Sequence, residues 1–114
     1  MSQNEKLTYT LREARDHYLL ALEVYPREVN PIGYADTQYN IALTLLEIAR
    51  KTGQQQDFDA TRAAIEASHS VYLEAGQTQY DQYFQNLELD VQMAELEWTV
   101  KTRQKELQEQ ELQK

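Results

Sequence analysis

Apolar side chains recur along most of this chain at alternating steps of three and four, and only an α-helix brings residues so spaced onto one face. The stripes are punctuated at Pro26, Gly53 and Gly76. A helix, a turn and a second helix can be read from Leu11 to Ile48, and the same pattern returns from Phe58 to Leu96 at an offset of about fifty residues, close to known helical-repeat periods. A hairpin written twice predicts a surface before it predicts a reaction.

Four helices follow from stripe and punctuation. Ser2 and Glu5 stand in capping-box spacing ahead of a face formed by Leu7, Leu11, Ala14, Tyr18, Ala21 and Tyr25, and Pro26 ends this first helix. Arg27 to Pro31 is the turn. Asn30 and Pro31 then supply an N-cap and first-turn pair for a second helix, whose stripes are Tyr34, Gln38, Ile41, Leu45, Ile48 and, beside it, Ala35, Tyr39, Ala42, Leu46, Ala49. Two adjacent stripes predict burial on more than one side. Arg50 and Lys51 suit the negative end of the helix dipole, and Gly53 provides the left-handed stop. After a polar connector, Gln54 to Gln56, Asp57 is expected to cap a third helix with the stripe Phe58, Thr61, Ile65, Ser68, Tyr72, Ala75. Beyond Gly76, Thr78 and Asp81 are expected to open a fourth, with Tyr80, Phe84, Leu87, Val91, Ala94 and Trp98 on one face.

Composition agrees with an all-α chain. Only 3 Gly and 2 Pro occur in 114 residues, a length that makes one domain with one modest core. The formal charge is -8, carried almost entirely by residues 57–114, which alone sum to -7. Such a surface repels phosphate, so neither nucleic acid nor an anionic membrane is the expected partner; a basic or neutral protein or peptide is. Cysteine is absent, which removes disulfides and thiolate chemistry. The opening Met-Ser-Gln-Asn-Glu-Lys has no apolar leader core and no apolar run approaches membrane-spanning length, so the cytoplasm is the expected compartment.

Ala14, Ala21, Ala42, Ala64 and Ala67 interrupt otherwise bulky faces, where short side chains let neighbouring helices approach closely. With connectors of a few residues, sequence neighbours become spatial neighbours. The strings Ala14-Arg-Asp-His-Tyr-Leu-Leu-Ala-Leu-Glu-Val-Tyr25 and Asn30-Pro-Ile-Gly-Tyr-Ala-Asp-Thr-Gln-Tyr-Asn-Ile-Ala-Leu43 resemble the tetratricopeptide repeat family, in its longer-period variety. The resemblance covers roughly residues 8–96 and is sharpest from Tyr34 to Leu46. It implies antiparallel hairpins stacked as a short right-handed array of four helices, the last one long, over residues 1–100, with 101–114 as a polar helical or disordered extension. Leu11 to Tyr25 then resembles a second helix of one repeat, Gly33 to Thr52 a first helix, Phe58 to Ala75 its second, and Tyr80 to Glu97 another first. Ile41 and Ala42 hold the family's Leu-Gly positions, whereas Glu88 stands where the next repeat would carry a small residue.

First helices line the concave groove in this family. The resemblance therefore implies Tyr39, Leu43, Leu46, Glu47, Gln85, Leu89 and Gln92 as partner-binding residues, with plain core packing the competing role for Tyr39, Leu43 and Leu46. Members that grip a terminal carboxylate use Lys and Asn where this chain has Tyr39 and Leu43, so no carboxylate clamp is implied. Tyr9 and Tyr83 lie off the main stripes and are the aromatic residues expected to be exposed.

Signs of catalysis are thin. No phosphate-binding glycine loop, nucleophile elbow or zinc-protease helix motif occurs. Glu66 and His69 form a Glu-x-x-His pair of the kind that supplies two ligands in di-metal helix bundles, but His17 is preceded by Ala14 where a second such pair needs Glu. Neither a metal nor a cofactor is expected. The expected function is a protein–protein interaction module that self-associates as a homo-oligomer, most simply a dimer, by burying one of its two uncovered ends, the outer face of the first helix or the last helix at Met93, Leu96 and Val100 beside Leu89. The alternative is a compact four-helix bundle with a metal or small-molecule site in its core. Leu107 and Leu112 are five apart and do not sustain a heptad, so the tail is expected to be unpaired.

Overall fold

The computed structural model describes residues 1–114 and contains four α-helices, α1 (Gln3–Val24), α2 (Pro31–Thr52), α3 (Gln55–Glu74) and α4 (Asp81–Leu112). A single turn of 3₁₀-helix, Thr78–Tyr80, leads into α4, and there are no strands. The all-α array with a long last helix is thus as the sequence predicts.

Most helix ends follow the expected chemistry. The Ser2 hydroxyl accepts from the Glu5 N–H at 3.1 Å, and the Asn30 side chain accepts from the Gly33 N–H at 2.9 Å, each satisfying a donor that the first helical turn leaves free. Gly53 ends α2 at φ 66°, where a side chain would be strained. Two ends differ from expectation. Asp57 does not cap α3: the helix starts at Gln55, and Asp57 lies buried inside its first turn. Its carboxylate accepts from the Thr52 hydroxyl at 2.7 Å and from the Arg12 guanidinium at 3.4 Å, so it ties α1, α2 and α3 together instead. Thr78 makes no side-chain cap either, because the 3₁₀ turn precedes α4 and the Asp81 carboxylate is taken by His69.

Helix α2 is the centre of the molecule. It packs against α1, α3 and α4, whereas the backbones of α1 and α4 do not approach each other. The result is an open array, 61 × 31 × 17 Å, in which α1 and α4 lie apart. The core lies mainly between α2 and α3, where Ile41, Leu45, Ile48 and Ala49 meet Phe58, Ile65 and Val71, and α4 adds Phe84, Leu87, Val91 and Ala94. Burial of these side chains supplies about 1.5–3 kcal/mol for each of the large ones. Ala42, Ala64 and Ser68 keep the α2–α3 crossing close, and the buried Ser68 hydroxyl donates to the Ala35 carbonyl at 2.7 Å.

Both outer helices carry apolar surface that nothing covers. No residue of α1 is fully buried; Leu11, Tyr18 and Leu22 rest on the core while Leu19, Leu20 and Val24 are exposed. In α4, burial stops at Ala94 and half-burial at Trp98, yet the helix continues to Leu112 with every residue from Thr99 exposed. The tail is thus a solvated helix.

Candidate functional site

An aromatic cleft lies where the start of α4 meets α2 and α3. Asp36 and Tyr39 come from α2, Tyr72 from α3, Tyr80 from the 3₁₀ turn, and Tyr83 and Phe84 from the first turn of α4. Together they line a cleft of about 320 Å³. The rings hold one another: Tyr39 meets Tyr83 edge-on at 6.2 Å and Phe84 at 6.1 Å, and Tyr72 lies 4.9 Å from Tyr80. His69 stacks on the far side of the cluster, 4.6 Å from the Phe84 ring, and its Nε2 donates to the Asp81 carboxylate at 2.8 Å.

Asp36 is the only charged group in the cleft. The Tyr72 hydroxyl donates to its Oδ1, and no Lys, Arg or His side chain is paired with it. Burial, and then the bond to Asp36, push the Tyr72 phenol far above its ordinary range; burial and the neighbouring Tyr83 push Tyr39 up as well. Both shifts favour the neutral phenol, from which Tyr72 donates to Asp36.

The groove residues implied by the repeat resemblance do not form one surface. Leu46 is only 3% exposed and belongs to the core, because its stripe on α2 faces the neighbouring helices. Tyr39 is half-buried under Tyr83, Leu43 is 38% exposed, and Glu47 pairs with Arg50 on its own helix. Gln85 and Gln92 gather instead with His69 and Glu88 in a shallow hollow that Leu89 borders from the outer side and that neither Leu43 nor Glu47 lines. The member of α4 that meets Tyr39 is Tyr83.

Met93, Leu96 and Val100 are 59%, 58% and 52% exposed, and Leu89 is 56%. At 3.6 residues per turn they fall about 180° from the buried face of Phe84, Leu87, Val91 and Ala94, so α4 is apolar on two opposite sides. Leu107 lies on the same outer side. Together with the polar Arg103, the positions 89, 93, 96, 100, 103 and 107 keep strict steps of four and three. The heptad that the pair Leu107 and Leu112 does not show is visible once Leu107 is counted from Leu89.

Tyr9 and Tyr83 are 60% and 64% exposed, as their positions off the stripes predict. Glu66 is exposed, and His69 is engaged with Asp81; no three His, Asp or Glu side chains converge as a ligand set. No helix is long and apolar enough to cross a membrane. The contribution of Asp36 and Tyr72 to the cleft is invisible in the one-dimensional pattern, because they stand 36 residues apart on different helices. Compared with known proteins, the chain matches no family model, no curated protein and no solved structure.

Proposed function

We propose that this chain is a non-catalytic protein–protein interaction module of tetratricopeptide-like build that self-associates through the outer face of α4. The observation that carries the reading is the stripe Leu89, Met93, Leu96, Val100 and Leu107, exposed on a helix whose opposite side is already committed to the core. Exposed apolar surface that is contiguous and regularly spaced marks a contact site more often than it marks accident. Its four-and-three spacing suits another helix with the same spacing, and a second copy of α4 offers one by symmetry. The order of packing supports the repeat-like build: α2 lies between α1 and α3, and α4 rests on both α3 and α2.

Self-association is checked by sedimentation velocity at micromolar concentration. The wild-type chain is expected as a dimer, and Leu96→Glu as a folded monomer with unchanged helical circular dichroism. A wild-type chain that stays monomeric to 100 μM overturns the assignment. A basic or neutral protein segment is the further partner that the acidic surface suits, with residues 57–114 at a net charge of -7.

A further inference from the structure

The tyrosine cleft at the head of α4 sets aromatic walls beside a solvent-exposed carboxylate. Its walls are aromatic, from Tyr39, Tyr80, Tyr83 and Phe84, and its single charge is a carboxylate, Asp36, that no cation of the chain neutralises. Asp36 spends one oxygen on the Tyr72 hydroxyl, which fixes the orientation of the carboxylate and leaves its other oxygen free. Ring faces carry negative potential at their centres, so a cation entering the cleft is attracted by the rings and by Asp36 at once. An anion is repelled by both. A purely apolar group would leave the carboxylate covered and unpaired, which is unfavourable.

We propose that this cleft receives the cationic side chain, Lys or Arg, of a basic peptide segment on a partner protein. The charged head pairs with Asp36 while its methylene stem or guanidinium plane lies along Tyr83 and Tyr80, the two most exposed rings of the cleft. The volume of about 320 Å³ admits one such side chain and not a folded domain, so the remainder of the segment runs over the surface. The acidic net charge of the chain favours the approach of a basic segment. This inference rests on the reading of the chain as an interaction module, but it uses a face separate from the α4 stripe.

The two are therefore tested apart. Backbone amide shifts of the full chain are followed by NMR during titration with the blocked amino acids N-acetyl-lysine methylamide and N-acetyl-arginine methylamide, with the uncharged norleucine compound and tetramethylammonium chloride as comparisons. Saturable shifts are expected at Asp36, Tyr80 and Tyr83 with the Lys or Arg compound and not with norleucine. Asp36→Asn keeps an acceptor for Tyr72 and, at an exposed carboxylate, should weaken binding about two- to fivefold, with little change in melting temperature. Tyr83→Leu, at a largely exposed ring, should weaken it severalfold. Equal response to norleucine, or affinity unaltered by Asp36→Asn, overturns the proposal. Binding of tetramethylammonium without binding of either amino acid also overturns it, in favour of a small ammonium ligand. If the cations fail while the chain still dimerises, this inference falls and the interaction reading stands; if the chain is also monomeric, both fall.

Discussion

The indole N–H of Trp98 donates to the backbone carbonyl of Arg50 across 2.9 Å, closing the gap between the middle of α4 and the end of α2. That carbonyl is one of the last four of α2, for which the helix itself has no donor. The same indole lies over Gly53, where an added Cβ would stand 2.4 Å from the ring. A left-handed glycine and a tryptophan thus share one space.

Gly53→Ala should destabilise the fold by about 1–3 kcal/mol, since alanine resists the positive φ and the ring must move. Trp98→Ala removes the ring and the hydrogen bond, at a cost of about 1–2 kcal/mol for a half-exposed side chain. The double variant should be less destabilised than the sum, because the clash disappears with the ring. Urea denaturation of the four proteins measures this; strict additivity would show that Gly53 is needed for its backbone angle alone.

Asp57 is predicted to matter more than a surface carboxylate does. It is 4% exposed and accepts from both Thr52 and Arg12. Asp57→Ala leaves the Thr52 hydroxyl without its acceptor and Arg12 without its counter-ion, and should cost about 1–3 kcal/mol in urea denaturation. A loss below about 0.5 kcal/mol would mean that water replaces the carboxylate.

Local signals were legible: the Ser2 and Asn30 caps, the Gly53 stop and the buried stripes of α2 and α4 follow from spacing within one helix. A cap and a first-turn carboxylate suit the same helix dipole, and only contact with Arg12, 45 residues away, assigns Asp57 to the second role. The groove set is dispersed for a related reason. Which side of α4 faces α2 depends on the crossing of the helices, and a repeat offset applied to Tyr39 leads to Gln85, two residues from the Tyr83 that lies there.

The Arg62–Glu95 pair predicts a pH dependence. Arg62 holds both oxygens of Glu95, at 3.0 and 2.8 Å, and joins α3 to α4. Its hydrogen bonds, followed by that from Gln55, hold the Glu95 carboxyl below the usual range. A carboxyl with a depressed folded-state pKa stabilises fully above its unfolded value and loses that contribution as pH falls through the folded one. A double-mutant cycle with Arg62→Ala and Glu95→Ala should give about 0.5–1 kcal/mol of coupling near neutral pH, limited by solvent screening, and nearly none at about pH 2. Coupling that persists in acid would have to come from packing of the two stems.

Salt should separate the two interaction faces. Pairing of α4 with its copy brings together two halves of net charge -7, so repulsion opposes an apolar contact. Screening lengths fall from about 30 Å at 0.01 M to about 10 Å at 0.1 M salt, which weakens the repulsion and leaves apolar burial in place. The dimer should therefore tighten, roughly three- to tenfold, between those concentrations. Lys or Arg binding at Asp36 is an attraction and should weaken over the same range. Sedimentation equilibrium and the NMR titration, each run at both salt concentrations, measure the two trends. A dimer that dissociates as salt rises would have to be held by charges, and the Leu89, Met93, Leu96, Val100 stripe would not be its interface.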